Sequence, residues 1–196
     1  MCNPINYLIE KIYHPTYKQK VANIIANLCS NHSHILDIGC HDGTLINLIH
    51  QINPTLNIIG LEIDNSSIPK CKRIIYDGSH IPCKDNTFDI VLCIDSLHHT
   101  PNTLNVLIEA SRVSKKTIII KDHCYYSKLS LLLIKCTDYI TNYSYHIPCP
   151  YNFYPLHTWK KLFEIANLNL ISQPKNLHYG YGINERYNPL FLLHKQ

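Results

Sequence analysis

The residues best placed to do chemistry lie in one glycine-containing stretch, residues 35–45, which reads ILDIGCHDGTL. Its apolar start predicts a buried strand, and leucine and isoleucine recur at helical spacing after the second glycine. The stretch therefore predicts a strand, a tight loop and a helix. Glycine lets the backbone of such a loop approach a ligand, because it has no side chain and tolerates positive φ, and the first turn of the helix offers unpaired N–H groups. We expect a small polar ligand at this loop.

The charges around the loop indicate the chemical class of that ligand. Its glycines, Gly39 and Gly43, have the spacing G-x-x-x-G, whereas dinucleotide-binding loops have G-x-G-x-x-G. Two carboxylates, Asp37 and Asp42, flank the turn and would repel a pyrophosphate. They suit a ligand that carries an ammonium and a sulfonium. A dehydrogenase that binds NAD is therefore the weaker interpretation.

Further acids follow the next predicted strands. Glu62 lies near the carboxyl end of a strand predicted over residues 56–63, about 20 residues after the loop, where an acid can accept hydrogen bonds from both ribose hydroxyls of a nucleoside. Asp64 is an alternative for the same role. Asp77 follows a third strand, residues 73–76, where a carboxylate can accept a hydrogen bond from an amino donor.

Two passages of the chain resemble class I S-adenosylmethionine-dependent methyltransferases. Residues 37–43 are similar to their motif I, E/D-x-G-x-G-x-G, with His41 where the middle glycine usually stands. Residues 79–99 closely resemble the passage LPF-x-D-x-SFD-x-V-x-x-x-x-x-LHH of the methyltransferase type 11 group. The resemblance covers about residues 30–120. It implies S-adenosylmethionine as the cofactor, with its amino-acid portion on the loop, its ribose on Glu62 and its adenine near Asp77.

Site residues can be named from these passages and from the predicted strand ends. The cofactor-binding set is Asp37, Gly39, Cys40, His41, Gly43, Glu62, Ile63, Asp77, Gly78, Asp95 and Ser96. The candidate acids and bases are His98, His99, Asp122 and His123, which follow the predicted fourth and fifth strands, where ligands bind in open α/β sheets. A neutral imidazole can accept a proton near pH 7. Each of these four residues also has a plain packing interpretation.

The pattern of elements and the resemblance together imply an α/β fold, a Rossmann-like three-layer sandwich. Its sheet would have seven mostly parallel strands in the order 3-2-1-4-5-7-6, with an antiparallel last strand. We expect one methyltransferase domain over residues 1–196, with N-terminal helices in 1–30, a cofactor-binding core in 31–124, a cap insertion in 125–155, and a C-terminal helix and last strands in 156–196. Too few residues separate Asp64 from Arg73 for the usual crossover helix, so a turn should replace it.

Two segments outside the core would cover the active site. Residues 5–29 predict two helices broken at His14-Pro15, because the residue before proline avoids the helical region. Aromatic side chains from this segment that could line a substrate pocket are Tyr7, Tyr13, His14 and Tyr17. The cap insertion predicts a helix with a repeated apolar face, followed by an aromatic, proline-bearing stretch that suits a flat or amphipathic acceptor. The apolar residues of that helix are Leu129, Leu132, Leu133, Cys136 and Ile140.

Composition argues against several other classes. The chain has a net charge of +4 and no clustered Lys/Arg run, so nucleic acid is not indicated as a partner. No apolar run approaches the roughly 20 residues that span a bilayer, and the N-terminus lacks the order of a signal peptide, so we expect a cytoplasmic protein. The nine cysteines include no C-x-x-C pair and no Cys/His cluster with zinc spacing. This predicts free thiols and no metal site.

These observations predict S-adenosylmethionine-dependent methyl transfer to oxygen, carbon or nitrogen of a small-molecule acceptor. No N-P-P-Y-type tetrapeptide follows the fourth strand, where Asp95-Ser96-Leu97-His98 stands instead, so methylation of DNA bases or of protein glutamine is not indicated. A tRNA methyltransferase is one alternative. A non-catalytic scaffold with the same fold that stabilises a partner subunit is the other.

Overall fold

A computed structural model describes residues 14–65, 68–142, 150–175, 177 and 187–196. The strands are β1 (His34–Ile38), β2 (Asn57–Glu62), β3 (Arg73–Ile75), β4 (Phe88–Ile94), β5 (Ser114–Lys121), β6 (Leu168–Ser172) and β7 (Leu190–Lys195). The helices are α1 (His14–Leu28), α2 (Thr44–Ile52), α3 (Thr103–Val113), α4 (Lys128–Asn142) and α5 (Leu156–Ile165), with a short 3-10 helix at Leu97–His99. The first predicted helix, with Tyr7 and Tyr13, and the side chain of His14 lie outside the described residues.

The seven strands form one sheet in the order β3-β2-β1-β4-β5-β7-β6. The first five strands pair in parallel, and β7 runs antiparallel to both β5 and β6. The predicted fold class, strand order and antiparallel last strand are confirmed. Because the carboxyl ends of parallel strands meet at one edge of the sheet, the loops that carry the predicted site residues meet there as well.

Alternate side chains along β4 pack on opposite faces of the sheet. Val91 and Cys93 join a core cluster with α3 and α5, whereas Ile90 and Leu92 join a second cluster with α1 and α2. Helices therefore cover both faces, as a parallel sheet requires. This explains why the strand is an almost continuous apolar run rather than an alternating one.

The link between β2 and β3 contains no helix in its described part, which leaves out residues 66 and 67. It folds back onto the glycine loop, where the Lys70 N–H donates to the Asp42 carbonyl at 2.8 Å. A Cβ on Gly43 would come within 2.3 Å of Cys71 Sγ, so the two segments approach closely only because Gly43 has no side chain. The described residues thus agree with the prediction of a turn in place of the crossover helix.

Helix α4 forms where the cap was predicted to begin, but most of its predicted apolar face does not face the core. Leu129, Leu132 and Leu133 are 65%, 58% and 56% exposed, whereas Ser130 and Asp138 are buried. Apolar spacing predicted the helix correctly and says nothing about which face meets the protein. No helix in the described part of the chain is long and apolar enough to cross a membrane.

Strand β5 is longer than its sequence predicts. The apolar run over residues 117–120 predicts a strand of that length, but β5 begins at Ser114, directly after α3 ends at Val113. Ser114 pairs with Phe88 across the ladder, and Lys115 Nζ lies 2.8 Å from Asp89 Oδ1. Pairing with β4 therefore extends the strand through residues whose types suggest a turn.

Replacing Trp159 by alanine is expected to destabilise the fold strongly. Its side chain is fully buried against Phe163 and Phe191, and its Nε1–H donates to the His123 carbonyl at 3.0 Å. The cavity and the lost hydrogen bond should lower the free energy of unfolding by about 3–5 kcal/mol in urea titrations followed by circular dichroism. Ile165→Ala, on the same helix but 60% exposed, should change it by less than about 0.5 kcal/mol. Equal effects of the two substitutions would contradict the placement of Trp159 in the core.

Candidate active site

The glycine loop between β1 and α2 takes a left-handed backbone at three positions. Gly39 and Gly43 have φ of 78°, and His41 has φ of 51°. Glycine adopts such angles without steric cost, whereas a histidine there is mildly strained. Cys40 is buried against β2, where a Cβ on Gly60 would come within 2.4 Å of its Sγ. The loop therefore keeps its left-handed conformation although histidine replaces the middle glycine of the motif.

Gly39 lies directly against Ser96, which follows β4. A Cβ at position 39 would come within 2.5 Å of Ser96 Cβ, so only glycine fits there. The Ser96 hydroxyl is buried and has no hydrogen-bond partner among the described residues. A buried unpaired hydroxyl costs about 1–3 kcal/mol. A polar ligand bound at the loop would offset that cost.

The Glu62 carboxylate ties the end of β2 to the glycine loop. Its Oε2 accepts a hydrogen bond from the His41 N–H at 2.7 Å, and its Oε1 accepts one from the Ile63 N–H at 2.8 Å. The Asp64 N–H lies 3.4 Å from the same Oε1. Because a carboxylate offers about four lone-pair sites, acceptor capacity remains for a ligand hydroxyl.

The two acids that flank the loop have different surroundings. Asp37 is buried, and burial together with the charge of Glu62 raises its pKa to about 7. Asp42 is paired, because its Oδ2 lies 2.7 Å from Lys70 Nζ and accepts a hydrogen bond from the Thr44 hydroxyl at 2.8 Å. Asp37 is therefore the flanking acid that a cationic ligand would stabilise in its charged form.

Asp77, the residue predicted at the adenine, lies near two other predicted cofactor residues, Gly78 and Ile63, beyond β2 and β3. Asp77 Oδ1 accepts hydrogen bonds from the N–H groups of Ser79 and His80 at 2.8 and 2.9 Å, which lowers the pKa of Asp77 to about 2. Gly78 has φ of 81°, and a Cβ on it would lie 3.4 Å from Ile63 Cγ2. Ile63 is 57% exposed. An exposed apolar side chain beside a turn with a fixed carboxylate suits a flat ring that carries an amino group.

Asp95, another predicted cofactor residue, forms an ion pair and a hydrogen bond with other side chains of the protein. Its Oδ1 lies 2.6 Å from Lys121 Nζ, and its Oδ2 accepts a hydrogen bond from the Tyr17 hydroxyl at 2.6 Å. Lys121 also hydrogen-bonds the Tyr17 hydroxyl. Burial alone would raise the pKa of Asp95, but the charge of fully buried Lys121 lowers it to about 2. The ionised Asp95 thereby joins α1 to the ends of β4 and β5.

His98 is held between two carboxylates. Its Nδ1 lies 2.6 Å from Asp122 Oδ1, and its Nε2 lies 3.4 Å from Asp138 Oδ1. Burial alone would lower the pKa of His98, but the charge and hydrogen bond of Asp122, with those of Asp138, raise it to about 10. An imidazole in this environment is suited to holding its neighbours in place rather than to accepting a proton from a ligand.

The other two candidate histidines adjoin His98 but differ in their surroundings. His99 is partly exposed, and its Nε2 lies 3.8 Å from Asp138 Oδ1. His123 packs its ring 4.7 Å from that of His98 and 5.2 Å from that of Phe153. Burial and the charge on His98 lower the pKa of His123 to about 4. The structure thus brings together all four predicted acids and bases in one cluster at the ends of β4 and β5.

Sequence reasoning missed two residues of this region. Lys121 ends β5, directly after the apolar run over residues 117–120, and Asp138 lies on α4, where it reads as a polar residue of an amphipathic helix. Nothing in the local sequence of either residue signals its partner. A buried-strand pattern that runs into the pair Lys121-Asp122 was the one available hint, because buried charges are paired.

An open groove of about 550 Å³ lies between the residues just before α4 and the start of α5. Its lining is Tyr125, Tyr126, Pro155, Leu156, His157 and Lys160. Tyr125, Tyr126 and Pro155 belong to the segment predicted as the cap, whereas the other three lining residues lie on α5. Tyrosine rings with one lysine suit an amphipathic molecule.

Comparison with known proteins gives matches over parts and over the whole of the chain. The chain is 40% identical over 81 residues to an uncharacterized protein of Methanocaldococcus jannaschii. That match covers 41% of this chain and 36% of the relative. It is 27% identical over 92 residues to the 27-O-demethylrifamycin SV methyltransferase of Amycolatopsis mediterranei, covering 40% of this chain and 34% of that protein. The matches thus span about a third of the length of these curated relatives.

The fold is shared with solved structures over almost the full chain. A Pyrococcus horikoshii protein superposes with a TM-score of 0.71 and 16% identity, covering 96% of this chain and 93% of that one. The family model described as a methyltransferase domain matches residues 10–173, which include the glycine loop and the His–Asp cluster. With the strand order of class I methyltransferases already established, this match identifies the chain as a member of the methyltransferase domain family.

Proposed function

We propose that this methyltransferase uses S-adenosylmethionine to methylate a small-molecule acceptor. The observation that carries the proposal is the buried, unpaired Ser96 hydroxyl beside Gly39, in a left-handed turn that only glycine fits. Acids also stand near the carboxyl ends of three successive strands, as Asp37, Glu62 and Asp77. A scaffold without a cofactor would have no use for this arrangement.

The chain's residues fit the parts of this cofactor one by one. Asp37 would attract its cationic groups, because ligand charge offsets the cost of a buried carboxylate. Glu62 would accept hydrogen bonds from the ribose hydroxyls, and Asp77 would accept one from the adenine amino group, with Ile63 against the ring. When bound, S-adenosylmethionine supplies a methyl group that its sulfonium already activates. The protein's part is to align the acceptor and to exclude water.

We assign the acid–base work to His99 and positioning to its neighbours. Asp122 holds His98 through its ring and His123 through its backbone N–H, whereas the partly exposed His99 is joined to the cluster through Asp138. Where the acceptor atom carries a proton, His99 would accept it as the methyl group is transferred. An acceptor that attacks through a free lone pair would not need this step.

A small-molecule acceptor is supported by two observations. The groove of about 550 Å³ before α4 and α5 includes two tyrosines in its lining, which suit a flat or amphipathic molecule. The Amycolatopsis relative is named for a small-molecule substrate, 27-O-demethylrifamycin SV. The chain has no clustered basic run of the kind that tRNA binding would use.

Calorimetric titration tests the cofactor directly. S-adenosylmethionine and S-adenosylhomocysteine should bind and NAD should not. Glu62→Gln should weaken binding by about 1.5–3 kcal/mol, which is roughly tenfold to a hundredfold, because hydrogen bonds to a charged group are lost. Glu164→Gln removes an exposed carboxylate on α5 and should leave affinity unchanged.

The possible outcomes test the identity of the cofactor and the role of Glu62 separately. No binding of either S-adenosyl ligand would overturn the proposed function and favour the scaffold interpretation. Binding with unchanged affinity in Glu62→Gln would overturn only the ribose assignment.

Asp37→Asn should stabilise the ligand-free protein and weaken its binding of a cation. The pKa of Asp37 is raised in the folded protein, so folding takes up a proton there, and the free energy of unfolding falls as pH rises from about 4 to about 7. Above about pH 7 the ionised carboxylate costs the folded state up to about 4 kcal/mol. Asparagine removes that cost, but it also removes the charge that would attract a sulfonium.

Urea titrations at two pH values, about 5 and about 8, check this prediction. The variant should gain stability over the wild type mainly at the higher pH, whereas Glu164→Gln should track the wild type at both. Calorimetry at the higher pH should show a larger loss of affinity for S-adenosylmethionine than for S-adenosylhomocysteine, which lacks the sulfonium. A stability difference that is the same at both pH values would contradict the raised pKa.

A further inference from the structure

Three side chains from separate elements converge between the sheet edge and α4. His98 follows β4, His123 follows β5 and Asp138 lies on α4. One ligand atom from each of them, a ring nitrogen or a carboxylate oxygen, lies within 4.8 Å of those of the other two. Within the ranges that the structure describes, this is the one group of three such residues with that geometry.

The donor atoms and their spacing suit a metal ion. Zn²⁺ binds imidazole nitrogen and carboxylate oxygen at about 2.0–2.2 Å, which places neighbouring ligand atoms about 3–4 Å apart. The separation between His98 Nε2 and Asp138 Oδ1 is 3.4 Å. Imidazole with carboxylate, without thiolate, favours Zn²⁺ or another divalent first-row ion over Cu⁺ or Mg²⁺.

A second carboxylate orients the histidine as metal sites require. Asp122 Oδ1 lies 2.6 Å from His98 Nδ1, which leaves Nε2 to face Asp138. The same Oδ1 accepts a hydrogen bond from the His123 N–H at 2.6 Å, so one carboxylate fixes two of the three candidate ligands. Metal-ligating histidines usually have their other ring nitrogen held by a carboxylate or carbonyl in this way.

The helix that carries Asp138, α4, buries few apolar side chains against the rest of the protein. Leu129, Leu132 and Leu133 are exposed, and its buried positions are Ser130, Ile134 and Asp138. Little apolar surface therefore holds α4 to the sheet. The contact between Asp138 and the histidines therefore lies on the face of α4 that meets the protein.

We propose that His98, His123 and Asp138 form a binding site for a divalent transition metal ion that fastens α4 to the carboxyl edge of β4 and β5. Asp122 is the positioning residue of this site. A metal-free ion cluster of the same residues is the competing arrangement, and the two differ in whether an added ion changes the protein. The inference does not depend on the proposed cofactor or acceptor.

Zinc titration of the chelator-treated full chain is the test. Wild type should bind one equivalent of Zn²⁺ at this site, and its melting temperature should rise by about 5 °C or more at saturation. His123→Gln removes one ligand but keeps the pairs that His98 makes with Asp122 and Asp138, so it should fold, bind Zn²⁺ at least about tenfold more weakly and lose most of the shift. Asp138→Asn should do the same, and His50→Gln, an exposed histidine on α2, should behave as wild type.

Two further readouts locate the ion. Backbone amides of α4 should exchange hydrogen more slowly when Zn²⁺ is bound, in wild type and not in His123→Gln. Co²⁺ in place of Zn²⁺ should give weak visible bands without the strong near-ultraviolet band of a cobalt–thiolate bond, because none of the nine cysteines takes part.

The proposal is overturned if the wild type binds no Zn²⁺, if His123→Gln and wild type bind it equally, or if the cobalt spectrum reports thiolate ligands. In each of these cases the cluster is a buried ion network that needs no metal. Binding of S-adenosylmethionine, measured on the same samples, reports separately on the proposed function.

Discussion

The buried carboxylate of Asp122 is the contact on which the geometry of the candidate active site depends. Asp122 Oδ2 accepts hydrogen bonds from the N–H groups of Leu97 and His98, and its Oδ1 accepts one from the N–H of His123. With the ring of His98 as a fourth partner, the charge is fully compensated where water cannot reach it. Because those partners follow β4 and β5, the single carboxylate fixes how the chain leaves both strands. Removing it would leave the donors unpaired, so this position tolerates change less than an exposed acid would.

A second buried charge, Lys121, constrains the neighbouring part of the edge. It pairs with Asp95, which also accepts the hydroxyl of Tyr17 from α1. Asp95 takes φ of 52°, an uncommon angle for a residue other than glycine. The turn at Asp95 places Ser96 against Gly39, where the buried Ser96 hydroxyl has no hydrogen-bond partner among the described residues. The ion pair between Lys121 and Asp95 thus stabilises the strained backbone of Asp95 next to the candidate ligand site.

Local sequence was sufficient for the features that depend on local conformation. The left-handed loop at Gly39 and Gly43 follows from glycine spacing, and the buried strand β4 follows from an apolar run between turn signals. The strand order came instead from the resemblance of two passages to a known family. It could not be derived from periodicity, because spacing within one strand says nothing about its neighbours.

Contacts between elements that are distant in the sequence could not be predicted from it, for a physical reason. Asp138 and the leucines of α4 fit an amphipathic helix in either orientation, and only the polar cluster on the sheet edge decides that the carboxylate faces inward. Similarly, the carboxylate of Asp95 pairs with Lys121 from another strand, a partner that the sequence does not name. A buried charge pairs with a residue that is near it in the fold and can be far from it in the sequence. The sequence pattern can therefore indicate that Lys121 and Asp122 need partners, but it cannot identify those partners.

Five consecutive residues after β4 divide the active site into two halves. Asp95 and Ser96 turn towards the glycine loop, whereas Leu97, His98 and His99 form a 3-10 helix that is anchored on Asp122. The His99 N–H donates to the Ser96 carbonyl at 3.1 Å, so the two halves are joined by backbone as well as by sequence. A shift in the position of Ser96 on ligand binding must therefore move the first turn of the histidine segment. The partly exposed imidazole of His99 is the side chain that can respond, because His98 is fixed from both sides by carboxylates.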